Sequence, residues 1–197
     1  MRQSKQVLVG RVPVGGGAPV SVQSMLNVPA DDIPGSVAQA KALADAGCEI
    51  LRAAIPNAAA VALIPAIRKA VDVPLVADIH FDYRLALMAA DAGADAIRIN
   101  PGNIGGRDRV AAVAESCTAH RIPIRIGVNS GSVEKELLAR FGGPTPEALV
   151  ESALHHASLL EACGFTDIVL SIKSSNVDTM IRAYELCAAR CDYPLHL

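Results

Sequence analysis

The chain repeats one unit, in which a helical stretch ends in Ala-Gly and an apolar strand follows within a few residues. The stretch ADAGCEILR at 44–52 is matched by ADAGADAIR at 90–98, and EACGFTDIVLS at 161–171 is a looser third copy. The glycine of each pair suits the position that closes a helix. A proline also opens several strands, as in VPLVADIH, IPIRIGVN and YPLHL. Repeated helix–strand units predict an α/β fold with a parallel sheet.

The order of these units favours a closed barrel over an open sheet. Strands are predicted at about 20–25, 50–54, 75–79, 96–100, 124–128 and 167–172, and a seventh begins at 194–197. Helical stretches lie between them, for example at 36–46, 83–92 and 146–163. Tandem units with two alternating strand signatures predict a (β/α)8 TIM-type barrel. The alternative, an open doubly wound sheet, needs a glycine-rich phosphate loop after its first strand, and QSMLNVP is not one.

The length predicts that this barrel is incomplete. A (β/α)8 barrel takes about 250 residues, whereas this chain has 197. We therefore expect 1–197 to be a partial barrel domain with about six βα units and the start of strand seven. Before the first strand, KQVLVGRVPVGGGAPVSV predicts a β-hairpin that turns at Gly15–Gly17 and closes the bottom of the barrel. A phosphate loop at these glycines is the alternative, but they precede the first strand rather than follow it.

Charge and hydropathy exclude several classes of partner. The formal net charge is −2, so no global basic field attracts nucleic acid or a membrane surface. The sequence has no apolar run of transmembrane length and no signal peptide, so a bacterial cytoplasmic location is expected. The five cysteines are irregularly spaced, which fits a reducing compartment. Cys187 and Cys191 are four residues apart, either as a metal-binding pair on one helix face or as small core residues.

Polar residues collect at the carboxyl ends of the predicted strands, where barrels of this type place their active sites. In chain order these residues are Gln23, Ser24 and Met25; Arg52; Asp78 and His80; Arg98 and Asn100; Arg125 and Asn129; and Ser171 and Lys173. Alternate strand residues face the same side, so most of this set is predicted to point into the barrel mouth. Apolar neighbours such as Ile97 and Ile126 then face the helices.

The charge of this set predicts an anion site. Three arginines and a lysine converge there, and Asp78 is the one obvious acid near them. A lone strand arginine is commonly a structural ion pair, but four cations at equivalent strand ends favour a bound anion, and a diphosphate fits better than a carboxylate. His80 shares a face with Asp78 and is a candidate acid or hydrogen-bond donor. His155 and His156 are predicted to lie on a solvated helix face.

Four motifs together resemble one enzyme family. They are APVSVQSM at 18–25, VPLVADIHFDYRLAL at 73–87, RINPGNIG at 98–105 and IPIRIGVNSGSVEKELL at 122–138. The chain is similar from about residue 7 onward to the 4-hydroxy-3-methylbut-2-enyl diphosphate synthases. These are iron–sulfur enzymes of isoprenoid biosynthesis.

The resemblance implies an activity and its cofactor. The substrate would be 2-C-methyl-D-erythritol 2,4-cyclodiphosphate, which is opened and dehydroxylated reductively to the linear allylic diphosphate. The reaction would need a [4Fe–4S] cluster, held by a C-terminal domain expected to be missing from this chain, so no metal ligands are expected here. Flavodoxin or ferredoxin would supply electrons, and the cluster domain of one subunit of a homodimer would cap the barrel of the other.

The resemblance also implies residue roles. Arg52, Arg98, Arg125 and Lys173 would hold the diphosphate with Asn129 beside it. His80 and Asp78 would lie near the substrate hydroxyls, and Gln23, Ser24 and Met25 would line the pocket floor.

The sequence departs from the family pattern in two respects. Leu26 and Val28 stand where the family usually has threonines, and no cysteine here matches the cluster motif CPxC. The alternatives are a phosphate-binding barrel like dihydropteroate synthase, or a non-catalytic fragment that exposes sheet edges and aggregates.

Overall fold

A parallel sheet of seven strands organises residues 2–197, the part of the chain that the computed structural model describes. Each strand pairs with the next one in the sequence, in the order β3-β4-β5-β6-β7-β8-β9. The strands are β3 (Gln23–Met25), β4 (Ile50–Ala54), β5 (Leu75–Asp78), β6 (Ala96–Ile99), β7 (Ile124–Asn129), β8 (Ile168–Lys173) and β9 (Leu195–His196). This sequential order has no reversal point, so the doubly wound alternative is wrong and the incomplete barrel is confirmed.

Helices connect the strands and cover the outer face of the sheet. They are α1 (Ile33–Asp45), α2 (Leu63–Ala70), α3 (Tyr83–Asp91), α4 (Pro101–Ile104), α5 (Arg107–His120), α6 (Lys135–Phe141), α7 (Pro146–Glu161) and α8 (Val177–Arg190). The repeated Ala-Gly pairs close helices as predicted, because Gly47 and Gly93 follow α1 and α3 with φ of +90° and +92°. Outward strand residues such as Leu51, Ile97 and Ile126 are fully buried against the helices.

The predicted N-terminal hairpin is present, but its turn was placed wrongly. β1 (Gln6–Val9) pairs antiparallel with β2 (Val12–Gly15), so the turn is Gly10-Arg11 and not Gly15–Gly17. The alternating runs on either side of Gly10 match each other in register, and Gly10 supplies the positive φ of +55° that this tight turn requires. Val9 packs against Ile50, Val76 and Ala96, at the amino ends of β4, β5 and β6. The hairpin therefore closes the bottom of the barrel.

The first barrel strand is shorter than predicted. β3 begins at Gln23, whereas the prediction began at Val20, which is 93% exposed. Val20 has the residue type of a strand but no neighbouring strand on which to pack, and propensity alone does not make a strand. Within residues 2–197, no helix combines the length and the apolar character needed to cross a membrane.

Candidate functional site

A cavity of about 420 Å³ lies at the carboxyl ends of the strands. Every site residue predicted from the sequence lines it except Gln23, Ser24 and Asn100. Phe81 and Asn103 also line it, although the sequence reasoning did not single them out. The full lining is Met25, Arg52, Asp78, His80, Phe81, Arg98, Asn103, Arg125, Asn129, Ser171 and Lys173.

Asp78 is the buried centre of the cationic cluster and is only 1% exposed. Its Oδ2 accepts hydrogen bonds from Arg52 Nε at 3.1 Å and Nη2 at 2.6 Å, and its Oδ1 accepts one from Arg98 Nη1 at 3.2 Å. Burial alone would raise the pKa of Asp78, but the guanidinium groups of Arg52 and Arg98 bring that pKa below its usual value. Asp78 is therefore ionised at neutral pH, and it fixes two arginines in the direction of the cavity.

Arg98 is a charged residue inside a buried strand, and the structure shows how its charge is accommodated. It is 7% exposed, and its Nη2 donates to the carbonyl oxygen of Gly127 at 3.0 Å. A Cβ atom at Gly127 would lie 2.2 Å from Arg98 Nε. The glycine on β7 thus leaves the space in which the Arg98 side chain lies across the barrel. Arg98 combines both predicted roles, because it pairs with an acid and also lines the cavity.

Arg125 is buried without an acid hydrogen-bonded to it. Its Nη1 donates to Gln23 Oε1 at 2.8 Å and lies 3.2 Å from His196 Nδ1. Among residues 2–197, no group accepts a hydrogen bond from its buried Nη2 atom. Burial, and then the charge of Arg52, lower the pKa of Arg125 to about 9. Arg125 also lines the cavity, so the negative charge of an anion bound there would offset the cost of burying this guanidinium.

His196 contacts Arg125 without lining the cavity, and the sequence reasoning missed it. An arginine only donates, so His196 Nδ1 is the acceptor in its contact with Arg125. Burial, followed by the charges of Arg125, Arg52 and Arg98, lowers the pKa of His196 to about 4, so the ring is neutral at pH 7. The signal was available, because His196 stands two residues after the strand-opening Pro194, as Arg125 stands two residues after Pro123.

His80, Asn129, Ser171 and Lys173 form the outer part of the cavity. His80 Nε2 lies 3.3 Å from Asp78 Oδ2, and the His80 side chain is 43% exposed. Asn129 and Lys173 are direct neighbours across the β7–β8 ladder, as are Gly127 and Ser171. An imidazole, an amide, a hydroxyl and an exposed ammonium group therefore surround the opening above the buried arginines.

The three predicted residues outside the cavity have other positions. Gln23 lies below it as the acceptor for Arg125. Ser24 alternates with Gln23 and Met25 on β3 and so takes the opposite face. Asn100 is 2% exposed and caps α4, where its Oδ1 accepts from the Gly102 amide while its Nδ2 donates to Ser132 Oγ at 2.7 Å. Asn100 therefore ties two mouth loops together.

A buried pair lies behind the same loops. His156 is 4% exposed, and its Nε2 is 2.7 Å from Glu134 Oε1. The prediction of a solvated face is confirmed for His155 and wrong for His156. Successive helix residues point about 100° apart, so two adjacent histidines can have opposite environments. Burial lowers the pKa of His156, and the carboxylate of Glu134 opposes that shift.

The described residues do not fit an iron–sulfur cluster. Among residues 2–197, no three His, Cys, Asp or Glu side chains come together in a group suited to a metal ion. Cys48 and Cys117 are buried among apolar side chains. A [4Fe–4S] cluster needs several thiolate ligands in one place, and this barrel does not provide them.

Comparison with known proteins identifies the family. The model of the GcpE TIM-barrel domain matches residues 4–197. The chain belongs to this family. It is 54% identical over 196 residues to the 4-hydroxy-3-methylbut-2-en-1-yl diphosphate synthase (flavodoxin) of Clostridium perfringens, a match that covers all of this chain and 56% of that protein. The enzyme of the same name from Maridesulfovibrio salexigens is 53% identical and is covered to 55%. The resemblance of the four motifs is thus confirmed, and the chain spans about half the length of these relatives.

The solved structures support the fold alone. Dihydropteroate synthase from Xanthomonas albilineans, in complex with 7,8-dihydropteroate, superposes with a TM-score of 0.71 at 14% identity, over 96% of this chain and 74% of that one. Identity this low between barrels carries no function, because barrels of this kind support many unrelated reactions.

Proposed function

We propose that this GcpE barrel binds 2-C-methyl-D-erythritol 2,4-cyclodiphosphate by its diphosphate. It would do so in an enzyme that opens and dehydroxylates this substrate reductively to 4-hydroxy-3-methylbut-2-enyl diphosphate. The observation that carries the proposal is the buried guanidinium of Arg125, which lines the cavity and whose Nη2 has no acceptor among residues 2–197. The match covers about half the length of the relatives from Clostridium perfringens and Maridesulfovibrio salexigens, and the names of these two enzymes support the same reaction.

The charge of the cavity suits a diphosphate. Arg52, Arg98, Arg125 and Lys173 line it, and among residues 2–197 Asp78 is the only carboxylate that does. Planar guanidinium groups bind phosphate oxygens through paired N–H donors, and lysine adds a point charge. Asp78 forms ion pairs with Arg52 and Arg98, so a protein group orients both side chains toward the cavity. Asn129 and Ser171 supply neutral hydrogen-bonding groups beside the phosphates.

His80 is assigned the polar end of the substrate. Its ring lies at the opening and contacts the ionised Asp78. From this position the imidazole can donate a hydrogen bond to a substrate oxygen or act as a general acid. Phe81 follows it at 72% exposure and provides an apolar edge to the same opening.

The reductive step needs electrons that these side chains do not supply. A [4Fe–4S] cluster would provide them when bound, and its ligands are expected outside the residues of this barrel. The relatives carry flavodoxin in their names, so flavodoxin is the expected donor, with ferredoxin as the alternative. A homodimer in which the cluster domain of one subunit covers the barrel of the other would complete the site.

Calorimetric titration of the 197-residue chain tests the binding step. Pyrophosphate and the cyclodiphosphate should both bind, the cyclodiphosphate more tightly, and Arg125→Met should weaken both by at least about tenfold. Arg182→Met, on the exposed face of α8, is the matched control and should leave the affinities unchanged. Lys173→Met serves as a second site variant because Lys173 is exposed and its loss does not threaten the fold.

Two results would overturn the proposal. One is unchanged affinity in both site variants. The other is tighter binding of a pterin diphosphate than of the cyclodiphosphate, which would favour the reaction class of dihydropteroate synthase.

A further inference from the structure

We propose that Cys187 and Cys191 form a redox-active dithiol, which closes to a disulfide by exchange with a low-molecular-weight disulfide such as oxidised glutathione. The pair lies at the end of α8, outside the cationic cavity. It does not depend on the proposed function, so the failure of either proposal leaves the other standing.

The two sulfur atoms are already close. Cys187 Sγ and Cys191 Sγ lie 3.8 Å apart. Residues four apart share one helix face, and Cys191 is the first residue after the helix, with extended backbone angles. Its backbone is therefore free of the helical hydrogen-bond ladder on one side. This freedom allows the small movement that a sulfur–sulfur bond requires.

The two thiols differ in access. Cys187 is fully buried, whereas Cys191 is partly exposed. An external disulfide can therefore reach Cys191 and not Cys187. This asymmetry assigns the attacking role to Cys191 and the resolving role to Cys187.

A cation is fixed beside Cys191. Arg2 Nη2 lies 3.9 Å from Cys191 Sγ and donates to the carbonyl oxygens of Cys191 at 2.8 Å and Tyr193 at 2.7 Å. Arg2 Nε donates to the Ala188 carbonyl oxygen at 3.1 Å. Three backbone carbonyls thus hold the guanidinium where it stabilises a thiolate.

The protonation of the pair agrees with this geometry. The hydrogen bond from the Cys187 thiol lowers the pKa of Cys191 to about 6, with Arg2 contributing in the same direction. The same hydrogen bond and burial raise the pKa of Cys187. At neutral pH the partly exposed Cys191 is therefore the nucleophile, and the buried Cys187 remains a protonated thiol until the second step of the exchange.

The exchange takes place in two balanced steps. The Cys191 thiolate attacks one sulfur of oxidised glutathione, the glutathione S–S bond breaks, and one glutathione thiolate leaves. Cys187 Sγ then attacks Cys191 Sγ, the bond between Cys191 and glutathione breaks, and the second glutathione leaves with the proton of Cys187 as a thiol. The two cysteines lose two electrons, and the glutathione disulfide gains them.

Peptide mass mapping of the native 197-residue chain after incubation with oxidised glutathione tests the proposal. The wild-type chain should yield a Cys187–Cys191 disulfide. Cys187→Ser should instead accumulate glutathione on Cys191, because the resolving thiol is gone. Cys163→Ser removes an exposed cysteine outside the pair and is the matched control, so it should form the disulfide as the wild type does.

The rate of modification gives a second readout. In the Cys187→Ser background, Cys191 should still react faster than Cys163 at pH 7, because Arg2 remains beside it. Arg2→Met should reduce that advantage. A wild-type chain in which Cys187 and Cys191 both stay free for alkylation, or in which glutathione enters at Cys187 first, overturns the proposal.

Discussion

At the residue scale, one glycine is as important to the cationic cluster as its arginines. Gly127→Ala would place a methyl group on the Arg98 guanidinium, where the available distance is 2.2 Å. We expect the free energy of unfolding to fall by about 1–3 kcal/mol and pyrophosphate affinity to fall with it. Urea denaturation and calorimetry measure both. Gly131→Ala is the control, since nothing lies within 4 Å of its Cβ position, and equal losses in the two variants would contradict the interpretation.

The neutral His196 makes stability depend on pH. Its pKa is about 4 in the folded chain and about 6.5 in an unfolded one, so the unfolded state binds the proton more readily between these values. The stabilisation is therefore complete above pH 6.5 and is lost as the pH falls toward 4, by up to about 3 kcal/mol. Urea denaturation from pH 7 to pH 4 should give a smaller loss for His196→Gln than for the wild type. The exposed His155→Gln should follow the wild type, and a His196→Gln curve parallel to the wild type would refute the assignment.

The alternation of strand residues predicted most of the cavity, including His80 two residues beyond the end of β5, and failed at Asn100. Arg52, Asp78 and Arg98 lie within strands, so their facing followed from parity alone. Asn100 follows the last residue of β6 and caps α4 instead, because a helix begins directly after it. Ser24 is predicted only from its place at a strand end, although its parity opposes that of Gln23 and Met25. Asn103 lines the cavity from a helical turn that no strand pattern describes.

At the scale of elements, the N-terminal hairpin plugs the barrel, in the sense that it covers the amino ends of the strands. Val9 is 5% exposed and packs on the amino ends of three strands. Val9→Ala should lower the free energy of unfolding by about 2 kcal/mol, from lost burial and the cavity left behind. Leu8→Ala is the matched control, because Leu8 is adjacent on the same strand and 55% exposed, and it should change stability by less than about 0.5 kcal/mol. Chemical denaturation compares them, and similar losses would mean that the hairpin does not plug the barrel.

The existence of this hairpin followed from its sequence, but its turn did not. Three consecutive glycines are a stronger turn signal than the single Gly10, and they attracted the prediction. In the structure, residues 7–9 pair with residues 12–14, and this register places the turn at Gly10-Arg11. Gly15, Gly16 and Gly17 all have positive φ, so they do bend the chain, but they do so at the end of β2 and directly after it. Glycines therefore show where a turn is possible, and the pairing of the two strands determines at which of them the turn forms.

At the scale of the whole molecule, one large apolar core includes residues from Leu26 to Tyr193, and a smaller cluster around Val9 lies inside the barrel. The repeats predicted this unity, since each βα unit buries its strand only against its neighbours. The sheet nevertheless keeps two outer edges within residues 2–197, at β3 and β9. Between them lies a second cavity of about 340 Å³, lined mainly by apolar side chains of the barrel interior.

These edges predict self-association. Apolar residues next to these edges are exposed. Val20 and Val22 precede β3 and are 93% and 58% exposed, and Leu197 follows β9 and is 86% exposed. Unpaired strand edges with exposed apolar side chains recruit further chains, and lysine on an edge prevents it. Sedimentation velocity over micromolar concentrations should therefore detect oligomers of the wild-type chain and fewer with Val20→Lys and Val22→Lys together. Val177→Lys changes an equally apolar, 62% exposed residue on α8 and should leave the oligomers in place. If Val177→Lys also reduces the amount of oligomer, general surface hydrophobicity drives the association, and the unpaired strand edges do not. If the wild-type chain stays monomeric, the edges are already protected, and the fragment hypothesis loses its physical basis.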